Sequence, residues 1–408
     1  MKCRHCGAGL RLSLVDLGSA PPSNAYLTEA MLRAPEKWFP LRVLVCEHCW
    51  LVQTEDFTQA HELFDADYAY YSGYSTAWLA HCERCANEMT QRYGLTPASH
   101  VVEVAANDGS LLQYFQARGI PCMGVEPTAS TAAAARAKGL SVVQDFFGTA
   151  LARRMVEQGL EADLTVANNV LAHVPDINDF VAGFAVLLKP GGVATFEFPH
   201  LLNLLAETQF DTIYHEHYSY LSLMTVERIF AANGLAVFDV ETLPTHGGSL
   251  RVHAQRLDSG SRPRQSPVAA MLAAETEAGL NTAGGYAGFQ ARAERVKDEL
   301  VTFLIDAKRQ GRRVAAYGAA AKGNTLLNFA GVRPDLLPYV TDRNPAKQGK
   351  FLPGSRIPIV AEDRLRAARP DYVLILPWNL KAEVVAQLAY IRDWGGRFVT
   401  AIPSLEVT

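Results

Sequence analysis

No segment of this 408-residue chain has the roughly 18–20 consecutive apolar residues that carry a helix across a bilayer. A helical membrane protein is therefore excluded. A basic excess is missing too. The formal net charge is −4, so no polycationic surface draws the chain to nucleic acid or to an anionic membrane. The opening residues, Met-Lys-Cys-Arg-His-Cys, hold no apolar core of a secretory signal. A cytoplasmic protein is expected, with its 7 cysteines reduced unless a metal holds them. The chain also lacks G-x-G-x-x-G after its predicted strands, so a pyrophosphate cofactor finds no glycine cradle. That disfavours NAD and FAD and suits an adenosine ligand without phosphate.

What is present is ordinary for a globular protein. Hydrophobic residues make up 49% and charged residues 20%, ample apolar surface to offset the entropy of ordering. At about 150 residues per domain, the length suits two or three domains. We divide the chain into a module over 1–70, an α/β domain over 71–245 and a second α/β domain over 246–408. No internal repeat and no low-complexity tract interrupts them.

Cysteines mark the first module. Cys3 and Cys6 form one C-x-x-C, and Cys46 and Cys49 form another. Two such knuckles offer four thiolates to one tetrahedral Zn²⁺. Four cysteines leave no open position for water or substrate, so the zinc is structural. A third pair, Cys82 and Cys85, differs in context. It shares a helical stripe with Trp78, Leu79, Ala86, Met89 and Tyr93, and reads as core.

The middle of the chain alternates strands with helices, as a parallel doubly wound sheet requires. Strands are expected at 101–106, 122–125, 141–143, 163–167 and 193–198. In such a sheet the ligand lies beyond the carboxyl ends of the strands. Glu126 closes the second strand about 20 residues after the first, where a carboxylate can accept both hydroxyls of a ribose. From residue 240 the character changes. A polar turn, Thr245 to Arg251, enters a strand, and a further α/β unit begins with a strand at 313–317. The turn Gly318 to Asn324 then offers backbone amides and Lys322 to an anion.

Several runs together carry a resemblance. Glu103-Val104-Ala105-Ala106-Asn107-Asp108-Gly109, Gly124-Val125-Glu126-Pro127 and Asn168-Asn169-Val170-Leu171-Ala172-His173 are similar to class I S-adenosylmethionine-dependent methyltransferases. Tyr214-His215-Glu216-His217-Tyr218-Ser219-Tyr220, the cysteine knuckles and Tyr317-Gly318-Ala319-Ala320-Ala321-Lys322-Gly323-Asn324-Thr325 narrow it. With them the chain resembles the nucleotide-sugar C-methyltransferases that build branched deoxysugars. Ala105 and Asn107 stand where the wider class has glycines.

The resemblance implies S-adenosylmethionine as cofactor. It assigns cofactor contacts to Glu103, Ala105, Asn107, Asp108, Gly109, Glu126, Pro127, Asp145, Phe146, Asn168 and Asn169, and lays Tyr68 or Tyr70 over the cleft. It makes the C-terminal domain the nucleotide-sugar site, with Lys322, Asn324, His246 and Arg251 on the substrate side. The implied substrate is a 4-keto nucleotide sugar methylated at C3, handled by a monomer without nucleic acid or membrane partners. Carbon methylation needs a carbon nucleophile, which a ketone supplies after losing an α-proton. An imidazole is a weak base for that proton, so donors must stabilise the enolate oxygen. His217 is the expected base, Tyr214 a donor to the oxyanion, and Glu216 a holder of an imidazole or a sugar hydroxyl. His173 is a second acid or base, or a sugar anchor. A nicotinamide-dependent oxidoreductase and a non-catalytic zinc-module binding protein are the alternatives.

Overall fold

The structure, a computed structural model, describes residues 1–55, 57 and 72–408. Tyr68 and Tyr70 therefore lie outside the described residues. Three antiparallel strands open the fold: β1 (Leu12–Ala20), β2 (Phe39–Val45) and β3 (Val52–Thr54). Along the chain follow β4 (Val101–Val104), β5 (Cys122–Val125), β6 (Ser141–Val143), β7 (Ala162–Asn168), β8 (Leu188–Pro199), β9 (Ser219–Tyr220), β10 (Leu235–Leu243) and β11 (Ser249–Arg256). The two-residue β9 pairs with β3, completing a sheet in the order β1-β2-β3-β9. The first module is thus stitched onto the segment that carries His217.

The remaining strands form the central sheet, ordered β10-β11-β8-β7-β4-β5-β6. Its strands β4 to β8 run parallel, and β11 and β10 add an antiparallel edge. The sheet takes in β11, past the division at residue 245 that the sequence suggests. β4 is buried on both faces, which is why it reads as an unbroken apolar run. From β4 the chain winds outward through β5 and β6, then returns to β7 on the other side. That reversal opens a crevice at the strands' carboxyl ends.

A third sheet collects β12 (Val314–Tyr317), β13 (Val340–Thr341), β14 (Ile359–Val360), β15 (Tyr372–Ile375), β16 (Arg397–Thr400) and β17 (Glu406–Val407) in the order β14-β13-β12-β15-β16-β17. All its pairings are parallel except the last.

The helix Thr76–Tyr93 starts where the Ser75 hydroxyl accepts the Trp78 amide and ends at Gly94, whose φ of 61° suits a residue without Cβ. Its buried face holds Cys82, Cys85 and Met89. The third cysteine pair is core, and burial pushes both thiols up. On the other side, Phe180, Phe184 and Phe196 pack edge to face and Phe230 lies tilted on Phe196, with ring centroids 4.7–5.1 Å apart. No helix among the described residues is long and apolar enough to cross a membrane.

Candidate active site and zinc centre

The two knuckles have one backbone design. Cys3 N–H donates to Ala8 O and Gly7 N–H to Cys3 O; Cys46 N–H donates to Leu51 O and Trp50 N–H to Cys46 O. Each turn needs a left-handed residue at its fourth step, Gly7 at φ 74° and Trp50 at φ 66°. The four Sγ atoms lie within 4.8 Å of one another, with Cys3–Cys49 and Cys6–Cys46 at 3.5 Å. A tetrahedron of Zn–S bonds of about 2.3 Å puts sulfurs about 3.8 Å apart, so the donor set fits zinc. Gln53 supports it, donating from Nε2 to the Cys3 sulfur at 3.3 Å and accepting the Arg4 amide at 3.0 Å.

The crevice at the carboxyl ends of β4, β5 and β7 is a cavity of about 380 Å³ that reaches the C-terminal domain. At the end of it beside these strands lie Ala105, Asn107, Glu126, Pro127, Asp145, Phe146, Asn168 and Asn169. Ala105 and Asn107 have φ of 59° and 50°. They replace the glycines of related turns yet keep the glycine conformation. The Asn side chain tolerates that region better than most residues. Glu126 is fixed before any ligand arrives. Its Oε2 accepts Asn107 N–H at 2.9 Å, and its Oε1 accepts Thr128 N–H at 2.9 Å and Thr131 Oγ1 at 3.0 Å. Both amide atoms of Asn168 and the Asn169 Oδ1 are buried without a hydrogen-bond partner among the described residues. Buried polar atoms without partners are costly, and an adenosine-bearing cofactor offers the donors and acceptors they lack.

Glu103, Asp108 and Gly109 stand behind this surface. Asp108 accepts Gly73 N–H at 3.1 Å and Ser110 Oγ at 2.6 Å, fastening the entry to the helix Thr76–Tyr93. Burial, with Asp108 and Glu126 nearby, holds the Glu103 carboxyl well above the usual range. Gly109 has φ 75°, and a Cβ there would meet Leu140 Cδ1 at 2.2 Å.

At the far end the Tyr214–Tyr220 stretch folds without helix, and Tyr214, Glu216, His217 and Tyr220 line the cavity with His173. His217 Nδ1 lies 2.7 Å from Thr212 O. A carbonyl only accepts, so Nδ1 carries the proton and Nε2 keeps its lone pair. Burial, reinforced by His173, holds this imidazole well below its usual pKa. The ring lies 3.9 Å from that of Tyr214, centroid to centroid, and 4.5 Å from that of His173. Burial also brings His173 down to about 4, although it hydrogen-bonds the Glu216 backbone. Glu216 is buried and pushed up to about 7 by desolvation, while both its oxygens accept from Asn24 Nδ2, at 2.8 and 2.7 Å. His215 turns away, donating from Nε2 to Pro40 O at 3.2 Å.

His246 and Lys322 reach the same cavity. Lys322 Nζ donates to Asn379 Oδ1 at 2.8 Å and lies 4.8 Å from the centre of the Trp378 ring. Burial lowers its pKa, and the Asp211 carboxylate opposes that shift.

Comparison with known proteins gives the family. The C-methyltransferase NovU of Streptomyces niveus is 34% identical over 406 residues, covering 100% of this chain and 96% of that protein. The chain belongs to the C-methyltransferase family. Family profiles divide it along its length: a zinc binding domain at residues 3–64, a methyltransferase domain at 79–240 and a C-methyltransferase C-terminal domain at 244–403. It is an S-adenosylmethionine-dependent C-methyltransferase that carries zinc, which sets aside the nicotinamide and non-catalytic alternatives. Solved structures similar to it include the magnesium protoporphyrin IX methyltransferase of Synechocystis PCC 6803, at 16% identity, 44% of this chain, 81% of that one and TM-score 0.34. Another is an S-adenosylmethionine-dependent methyltransferase from Mesorhizobium loti, at 14% identity, 43% of this chain, 100% of that one and TM-score 0.34.

Two residues expected on the substrate side of this C-methyltransferase do not line the cavity. Arg251 lies in β11 with Glu197 of β8 and Glu241 of β10 directly opposite. Its guanidinium takes Glu197 at 2.7 Å, Glu88 at 2.8 Å and Glu241 at 3.2 Å, and Glu197 also meets His81 at 2.8 Å. Such a saturated, buried cation holds the sheet to the helix Thr76–Tyr93. Asn324 instead donates to Ser23 O at 2.6 Å. In the same turn, Ala319 N–H is taken by Asp342 Oδ2 at 2.7 Å, which removes it as a phosphate donor. Conversely, the cavity includes Asn24, Trp78, Tyr220 and Lys347, which sequence reasoning missed. No local motif marks Asn24 or Lys347, whereas Tyr220 belongs to the aromatic-hydroxyl run itself.

Proposed function

We propose that this C-methyltransferase methylates a nucleotide-linked 4-keto deoxysugar at C3, the carbon beside the ketone, with His217 as the base that forms the enolate. The observation that carries the reading is the His217 ring. It is neutral, held by Thr212 at Nδ1, and packed at a tilt against Tyr214 in the cavity that Glu126 also lines. A neutral imidazole with one nitrogen tied keeps the other for proton abstraction. Tyr214 donates to the enolate oxygen as charge develops there. Glu216 binds a sugar hydroxyl, and Lys322 and His246 meet the substrate from the C-terminal side. S-adenosylmethionine supplies an activated methyl group, so the protein's remaining task is to hold the carbon in line.

The test is mass spectrometry of reactions with a panel of 4-keto sugars linked to dTDP, GDP or CDP. One of them gains a single methyl group. If none does while a sugar without the ketone does, the enolate reading is lost.

A second prediction concerns Glu126, which we assign to the ribose hydroxyls of the cofactor. A hydrogen bond to a charged group is worth about 1.5–3 kcal/mol. Glu126→Ala is expected to weaken S-adenosylhomocysteine binding on the order of tenfold to a hundredfold. Calorimetry finding wild-type affinity would remove the assignment.

A further inference from the structure

We infer that Asn24, carried by the zinc-bearing N-terminal module, is a positioning residue that fixes the Glu216 carboxylate in the active cavity, and that the C-terminal domain holds Asn24 in place. The inference rests on the reading of Glu216 as a carboxylate that works in that cavity.

The geometry spans all three parts of the chain. Asn24 Nδ2 donates to both oxygens of Glu216, 192 residues away in sequence. An amide that donates only to a carboxylate fixes its orientation and favours its ionised form. The segment bearing Asn24 is fastened on both sides. Asn324 Nδ2 donates to Ser23 O at 2.6 Å, and Tyr26 Oη donates to Ala319 O at 2.6 Å. Both contacts come from the Gly318–Asn324 turn and the helix it leads into, Ala321–Phe329. The same helix ties the catalytic stretch, where Thr325 Oγ1 donates to Ile213 O at 2.8 Å. The turn motif thus clamps Asn24 against Glu216 as well as bringing Lys322 to the cavity.

Other groups face this carboxylate. Lys347 approaches from the C-terminal domain, where its Nζ donates to Ala319 O at 2.8 Å and lies 4.0 Å from Asp342. Tyr26 adjoins it on the N-terminal side, and His173 hydrogen-bonds the Glu216 backbone. Burial raises Glu216 and Asn24 is the leading influence that lowers it again, ahead of Lys347. Removing Asn24 therefore moves the Glu216 titration upward, and activity that needs the carboxylate is lost at a higher pH than in wild type. Activity returns when the pH is raised, which a loss of folding would not allow.

The experiment is an infrared titration of the full-length protein with S-adenosylhomocysteine bound, taken as the difference from Glu216→Gln. The wild-type carboxyl should titrate at about 7. Asn24→Ala should raise that midpoint by about one unit, since a charge-assisted hydrogen bond is lost. The acid limb of kcat/KM for a dTDP-linked 4-keto-6-deoxyhexose should move with it. Asn24→Asp keeps the size, places a second carboxylate against the first, and should move the midpoint further the same way. It carries the test if the alanine variant fails to fold. A midpoint unmoved in the folded variants overturns the inference. Wild-type turnover by Glu216→Gln would instead sink the reading of Glu216 and leave the infrared shift standing.

Discussion

His217→Asn is expected to lower turnover by about 10²–10⁴ while the fold and S-adenosylhomocysteine affinity stay at wild-type values, because deleting a general base typically costs that much. Asparagine can still donate to Thr212 O but has no basic nitrogen. The wild-type ring is held far below its usual pKa, so it stays unprotonated as pH falls through the range where a free imidazole charges. The acid limb of the wild-type profile is therefore expected to come from another group, and Glu216, at about 7, is the cavity carboxylate suited to it. In deuterated water with S-adenosylhomocysteine bound, exchange at the substrate carbon beside the ketone should fall to background in the variant. If the variant exchanges or turns over at the wild-type rate, the base lies elsewhere. His173, 4.5 Å away between ring centroids, is then the candidate.

The other large effect belongs to the zinc centre. Structural zinc contributes on the order of 10 kcal/mol to the folding of small modules. Cys46→Ser removes one of four ligands and leaves a hydroxyl that binds zinc poorly at neutral pH. We expect wild type to carry one zinc per chain, and the variant to lose both metal and soluble yield. The consequence extends beyond the module. Thr54, next to the Gln53 that braces Cys3, donates from Oγ1 to His217 O at 3.1 Å, and β3 pairs with β9. Elemental analysis finding no zinc in untreated wild type would refute the assignment.

Much of this was legible in the sequence because its causes are local. The strands 122–125 and 141–143 coincide with β5, which is mostly buried, and with β6, the half-exposed edge strand, since both are short apolar runs between turn residues. Cys82 and Cys85 were separable from the zinc ligands because a helical stripe and a knuckle differ in spacing. Contacts set by register or by distant segments were not legible. Arg251 follows a polar turn and looks like a ligand residue until β8 and β10 place carboxylates opposite it. β9 is two residues long and exists only because β3 lies beside it. Asn24 resembles an ordinary turn residue after Pro21, Pro22 and Ser23, and its partner is 192 residues away.

With His217 forming an enolate, the methyl group goes to C3, beside the ketone. The most direct measurement is NMR of the product formed with ¹³C-methyl S-adenosylmethionine and the 4-keto sugar that the dTDP, GDP and CDP panel shows to be methylated. The expected product carries the labelled methyl carbon bonded to C3, with the C4 ketone intact. A label on oxygen, on nitrogen or on any carbon other than C3 would overturn the assignment.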